Sequence, residues 1–474
     1  MKLDFGLLLL ACYCCAAKPA HAADPVIRVV FPAAGSTVTT VQRTYVIGSV
    51  TPADTPVTVN GQTVTPWRTG GFLFMADVVP GTNTLTFQAG ATELRHTFKT
   101  PVPSVPLEIT GIRIQQPQQP VGVYTGETVR LVCQAPAGRE LFAAVGERTI
   151  ALTPSASEPT LYAGTVAFHA PVENVPVCFY TEGLAETQAA AITARAAWPA
   201  YKVTGPLFET RARSQPNGGD TVAFLTPDLL VQGAGYVGAH TRFWLKDAMC
   251  FTDTRHLTPS PKAPLPPRDL PLPDLAKGFG PHPPKNREPS KLLIVLDPGH
   301  GGPSLGAVGP TGVTEKEANL TQARAVKAVL EKAGFRVKMT RDSDVDIDLY
   351  ARARIAYEEK AAAFISIHHN SNAAQTDPRN VRHVSTYAWN EIGLRLARAL
   401  HPHIAAVTPI ADRGVMTASF AVCRNPAIPS CLLELDFINC PEGEDSIQQP
   451  EQQQRVAEAV LAGLRNWLRP DKAE

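Results

Sequence analysis

Charge of one sign is what this sequence has least of, since 44 Lys and Arg against 43 Asp and Glu leave a net charge of +1 over 474 residues. That balance sets up no field able to recruit nucleic acid or an anionic membrane surface, and neither is expected as a partner. Long apolar runs are missing too. The one candidate, Phe5 to Ala17, is shorter than the ~18–20 residues that cross a bilayer, which argues against a transmembrane span in the mature chain. Cysteine is scarce where a thiolate metal site would need it. A leader ending at Ala22 carries off Cys12, Cys14 and Cys15, and no CxxC pair remains among the rest. Proline is plentiful, at 43 residues against 34 Gly, and points to linkers or many β-edges, while 44% hydrophobic and 18% charged residues exclude disorder throughout. The length exceeds one compact core and implies about three or four domains of ~100–200 residues each.

Met1 and Lys2 precede the short apolar run, and Ala20-His21-Ala22 follows it, the pattern of a signal peptide over residues 1–22. Export across the inner membrane to the periplasm or cell envelope is therefore expected. Leu9-Leu10-Ala11-Cys12 also resembles a lipobox, with a lipid anchor at Cys12 as the alternative outcome. Cys133 and Cys178 fall in one β-rich segment, where a disulfide and an unbonded pair are both open.

From 24 to 100 short alternating runs are broken by turn residues. Asn60-Gly61, between Val57-Thr58-Val59 and Gln62-Thr63-Val64, signals a type I′ hairpin. This stretch resembles bacterial Ig-like modules. A second β domain is expected over 107–195, with a strand at Thr128 to Val132. Residues 200–256 resemble a small SH3-like barrel, either wall-targeting or a spacer. Residues 257–290 hold about a quarter of the prolines and read as a semi-rigid linker, able to reach on the order of 100 Å in polyproline II geometry.

Beyond the linker the pattern changes to alternating strand and helix. Leu292 to Leu296 is a continuous apolar run, as in a strand buried on both faces, and leads into Asp297-Pro298-Gly299-His300-Gly301-Gly302. Thr314-Glu315-Lys316-Glu317 is a capping box opening a helix that stops at Gly334. A strand follows at Phe335 to Met339, then a helix with Leu349 and Ile355 on its apolar side. Ala363 to Ile367 is a further strand ending at His368, and Ser430 to Leu433 another ending at Glu434. Strand carboxyl ends line the ligand crevice of open α/β sheets, so His300, His368 and Glu434 converge there, with Glu315 in the first turn of a nearby helix. Two imidazoles and a carboxylate, with a fourth position left for water, suit a catalytic zinc. His369 alternates to the other side of its strand, and His401 and His403 are expected on a solvated helix face.

Leu296 to Gly302, Thr314-Glu315-Lys316, Thr340-Arg341, Ser366-Ile367-His368, and Pro429 to Glu434 with Phe437 together resemble the zinc-dependent N-acetylmuramoyl-L-alanine amidases, over about 180 residues, 291–470. The resemblance implies an α/β three-layer domain around a mixed, mostly parallel sheet, so the whole chain is expected to be multidomain, with all-β modules ahead of it. It further implies one Zn2+ per chain held by His300, Glu315 and His368, catalysis by Glu434, and peptidoglycan as substrate. Pro303-Ser304-Leu305, Asp436 and Cys440 depart from the family pattern, but none of these departures removes a metal ligand. Arg341 and Arg352 are read either as contacts to stem carboxylates or as packing and salt-bridge residues. Some of these amidases carry a long helix after the second zinc histidine that plugs the site; here 369–382 is short and polar, so an open crevice is expected. The competing readings are a zinc peptidase acting on wall peptides and an inactive wall-binding protein.

Overall fold

The computed structural model describes residues 24–40, 42–102, 108–245, 248–261, 288–425 and 427–469. The leader, the lipobox at Cys12 and most of the Pro-rich stretch lie outside the described residues.

The first β segment buries one core between two sheets. Val26–Phe31, Arg43–Thr51 and Gly71–Asp77 form one sheet, and Gln62–Val64, Val57–Val59, Gly81–Ala89 and Thr92–Thr100 the other. Alternation turns Leu85, Phe87 and Ala89 inward against Val46, Phe72 and Phe98. Asn60 and Gly61 have φ of 49° and 81°, the pair of positive angles that a type I′ turn requires. The stretches 107–195 and 200–256, read as separate modules, share one hydrogen-bonded ladder. Val121–Tyr124 pairs parallel to Thr187–Arg195 and antiparallel to Leu230–Val237. Each side keeps its own apolar core. Cys133 and Cys178 are both free thiols, so no bridge joins the strands that carry them.

The C-terminal part is built on six strands: β1 (Leu293–Pro298), β2 (Arg336–Met339), β3 (Ala363–Asn370), β4 (His383–Ala388), β5 (Ala411–Thr417) and β6 (Ser430–Phe437). Their order across the sheet is β2-β1-β3-β6-β4-β5. Pairing is parallel except between β4 and β6, giving a mixed, mostly parallel sheet. Helices α1 (Glu315–Lys332), α3 (Glu391–Ala405) and α5 (Pro450–Trp467) cover one face, closing a core around Ile294, Leu296, Ile365, Leu433 and Val460. Side chains of this kind stabilise by ~1.5–3 kcal/mol each when fully buried. On the other face α2 (Leu349–Glu358) and the turn Ala421–Cys423 pack over Val295, Phe364 and Leu432. The short helix α4 (Pro441–Gln448) follows β6.

Two expectations are corrected. The buried side of α2 is Arg352, Ala353 and Ala356, while Leu349 is 52% exposed, because the helix turns its first residue toward a cavity. His401 is buried, not solvated: α3 lies flat on the sheet, and the ring bridges Thr386 Oγ1 at 2.9 Å and Asp412 Oδ1 at 2.7 Å. The C-terminal part also rests directly on the β segments before it. Tyr45 N donates to Ala374 O at 2.7 Å and Trp67 Nε1 to Asp445 Oδ2 at 2.8 Å, with Arg68 also paired to Asp445. Phe208 packs edge-on against Tyr357, ring centroids 5.4 Å apart.

Candidate active site

The parallel register sets Glu434 of β6 beside His368 of β3, and Pro298 of β1 beside Ile367 of β3. Two residues beyond Pro298 the chain turns at His300, whose φ is 62°. A non-glycine residue in this left-handed region costs about 1–3 kcal/mol and persists where surrounding structure fixes it. Here the fixing groups are visible. Arg352 donates to His300 O at 2.8 Å, and His300 Nδ1 lies 3.0 Å from Ser304 Oγ, a residue of the stretch that departs from the family pattern. Gly299 is required by close approach, since a Cβ there would stand 2.1 Å from His368 Cε1. Gly301 has φ 132°, and its Cβ would lie 2.2 Å from Val345 O.

Thr314 and Glu317 make the reciprocal capping box of α1, which presents Glu315 in its first turn. Glu315 reaches His300 Nε2 with Oε2 at 3.1 Å and His368 Nδ1 with Oε1 at 2.8 Å. The donor atoms of His300, Glu315 and His368 all fall within 4.8 Å of one another. Burial works to raise the Glu315 pKa, but hydrogen bonds from the two imidazoles win and hold it well below the usual carboxylate range. Burial alone would lower the His368 pKa; the bond to Glu315 turns the shift upward.

Glu434 faces the same cavity. Its Oε2 is buried without a hydrogen-bond partner. Burial, reinforced by the nearby Glu315 charge, pushes its pKa up to about 7 against the opposing pull of His368. The cavity, about 650 Å³, is lined by His300, Glu315, His368 and Glu434 on its floor and by Leu349 and Phe420 toward its mouth. A second cavity of about 600 Å³, between the second and third β segments, is lined by Gln115, Gln119, Val121, Glu127 and Arg242 among others and holds no comparable cluster.

A supporting layer was only partly legible in the sequence. Asn319, one turn after Glu315, donates to Glu315 Oε1 and to Gly299 O at 3.3 Å each, and its Oδ1 accepts from His369 Nδ1 at 2.8 Å. The i, i+4 spacing from Glu315 was the available signal. The His369 ring is buried against Asn319, and its burial lowers its pKa to about 4. Asp297, fully buried, gathers Thr340 Oγ1 at 2.6 Å, Ser366 Oγ at 2.7 Å and Arg352 at 2.9 Å. Arg341 donates to the carbonyls of Pro298, Gly299 and Lys316. Both arginines are thus spent on holding the turn that carries His300. Asp436 takes up Arg382 in a bidentate pair at 2.7 and 2.8 Å.

Residues 294–466 match the family described as N-acetylmuramoyl-L-alanine amidase. The chain is 35% identical over 177 residues to the probable cell wall amidase LytH of Staphylococcus epidermidis, covering 37% of this chain and 58% of that protein. It is 31% identical over 232 residues to the N-acetylmuramoyl-L-alanine amidase AmiC of Escherichia coli, covering 40% of this chain and 56% of AmiC. The chain therefore spans a little over half the length of these relatives. Among solved structures, the amidase AmiC2 of Nostoc punctiforme shares 36% identity, with a TM-score of 0.36 over 38% of this chain and 97% of that one. Through its C-terminal domain, this chain belongs to the N-acetylmuramoyl-L-alanine amidase family.

Proposed function

We propose that the chain hydrolyses the amide between N-acetylmuramic acid and L-alanine in peptidoglycan, with one zinc ion held by His300, Glu315 and His368. The observation that carries this is a cluster of three ligand groups faced, across one cavity, by a half-buried Glu434 whose Oε2 is buried without a hydrogen-bond partner. The donor set fits zinc: two imidazole nitrogens and one carboxylate converge, and glycine at 299 keeps a Cβ out of the His368 ring. Asn319 and Ser304 would orient Glu315 and His300 through the atoms not used for the metal, as supporting ligands generally do.

Zinc bound there supplies Lewis acidity toward the scissile carbonyl and toward water. The residues of the chain do the rest. Glu434, with an affinity for protons near neutrality, takes a proton from the attacking water and returns it to the departing L-alanine nitrogen. An amide nitrogen is a poor leaving group until it is protonated, which is why a carboxylate able to exist in both forms is needed at that position. Leu349 and Phe420 at the mouth offer apolar surface to a polymer strand.

The same reading places the protein in the cell envelope, exported behind the leader at 1–22, with the β modules at 24–100, 107–195 and 200–256 presenting the catalytic domain at 291–470 to the wall. No described helix is long and apolar enough to cross a membrane. The crevice is read as open at rest: among the described residues, only the short turn Pro378–Asn380 lies between β3 and β4.

The test is a digest of purified wall by the full chain, with the products identified by mass. Intact stem peptides beginning in a free L-alanine amine are expected. Cleavage within the stem would make the protein a peptidase, and binding without cleavage would make it a wall-binding protein. His300→Ala should lose stoichiometric zinc, whereas Glu434→Gln should retain it and lose most turnover. Full zinc content in the first variant, or near-normal turnover in the second, would overturn the assignment.

A further inference from the structure

Within the third β segment, a pocket of about 290 Å³ is walled by Arg211, Arg213, Arg255, His240 and His256. Arg211 and Arg213 stand two apart on the strand Arg211–Arg213, so both side chains leave the same face while Ala212 fills the core. Arg255 is offset by Asp253 at 3.0 Å. Among the described residues, neither Arg211 nor Arg213 has a carboxylate partner. Arg211 instead lies over the Tyr350 ring at 4.2 Å, and burial, together with repulsion from Arg213 and Arg424, lowers its pKa. Arg211 Nε, His240 Nδ1 and His256 Nδ1 are all buried without a hydrogen-bond partner. Unpaired buried nitrogens are few in a folded domain and ask for an explanation. Here three of them gather in the side chains around one pocket, beside guanidiniums crowded with like charge.

We propose that this pocket is a second substrate site, which holds a free carboxylate of the peptide stem while the scissile amide lies in the catalytic cavity. The inference rests on the amidase reading for the identity of the polymer. The two sites are linked in the fold through α2. Tyr350, beneath Arg211, follows Leu349 at the start of α2, and Leu349 and Arg352 both line the catalytic cavity. Planar guanidiniums bind a carboxylate through paired donors, which favours Arg over Lys in such a role. The wall also holds Glu209 and Asp253. A surface carrying both unpaired guanidiniums and carboxylates suits a zwitterionic peptide end better than a phosphodiester, whose charge is of one sign.

Binding is measured by calorimetry on the full-length, metal-loaded protein with a free stem peptide, which lacks the lactyl amide and is not cut. Three probes are compared: the peptide with its carboxylates free, the same peptide with them amidated, and inorganic phosphate. The carboxylate form should bind, Arg213→Gln should weaken it about tenfold or more, and Arg213→Lys should recover only part of the loss. Amidation should remove most of the affinity. Equal binding by Arg213→Gln, equal binding of the amidated peptide, or tighter binding of phosphate than of peptide would each overturn the proposal. Turnover of a short soluble muramoyl-peptide reports separately on the amidase reading. Arg213→Gln should raise KM on long-stem substrate while leaving kcat unchanged.

Discussion

At the scale of single residues, Glu434 connects burial to proton transfer. Its pKa stands at about 7 in the folded protein because a carboxylate with one orphaned oxygen is poorly solvated there. The folded pKa is raised, so between about 4.5 and 7 the folded state holds more protons than the unfolded one. Glu434 therefore contributes stability that is lost as pH rises through that window and levels off above it, set against the opposite contribution of His369, whose pKa is lowered to about 4. Glu434→Gln, a neutral isostere, should be nearly silent at the acid end and stabilising, by on the order of 2–3 kcal/mol, above pH 7 in metal-free protein. Denaturant melts of the two proteins at pH 4.5 and 8 check this. A stability difference that does not change with pH would mean that Glu434 does not titrate in this range. Gly299→Ala probes the same site sterically. Its Cβ would meet the His368 ring, and metal retention should fall without loss of the fold, as read by zinc content and circular dichroism.

At the scale of elements, α1 delivers both Glu315 and the amide that steadies it, one turn apart on one face. Asn319→Ala should lower metal affinity by about 10–100-fold, the usual cost of removing a supporting partner. Competition with a chelator measures it, and unchanged affinity would show that the capping box alone orients Glu315. Which elements were legible follows from their packing. β1, β3 and β6 are central strands buried on both faces, so each shows in the sequence as an apolar run, interrupted in β3 by Ser366, with a polar residue at its end. β5 is an edge strand of mostly exposed residues, Ala411–Thr417, and shows no such run. His401 misled because a helix face cannot be assigned to solvent from one residue. Leu396, Leu400 and Ile404 form the buried stripe beside it. Leu349 misled in the opposite sense, since an apolar residue at a cavity mouth is indistinguishable in sequence from one in a core.

At the scale of the whole molecule, a long Pro-rich connection suggests a catalytic head free to sweep, but the structure has the head docked. The first β module holds two loops that descend from the metal cluster. Tyr45 bonds the loop after β3 at Ala374, and Gly71 lies against Pro310 in the loop before Glu315. Glu444 fastens that second loop from behind, accepting from Thr311 N, Thr311 Oγ1 and Val313 N, while its neighbour Asp445 takes Trp67 and Arg68. Each contact is modest, about 1 kcal/mol for a neutral hydrogen bond. Together they set how far the two loops move. The double variant Trp67→Phe, Arg68→Ala keeps the ring packing but removes the two donors that the first β module gives to Asp445, leaving Gln449. Amide exchange should then rise several-fold at 309–313 and 371–376 and stay unchanged in the core strands β1 and β3. Zinc content should hold, while KM on a soluble muramoyl-peptide should rise as the loops bordering the cavity loosen. If exchange at both loops matches the wild type, the module is merely adjacent, and the freely tethered head is the better description of how this protein works.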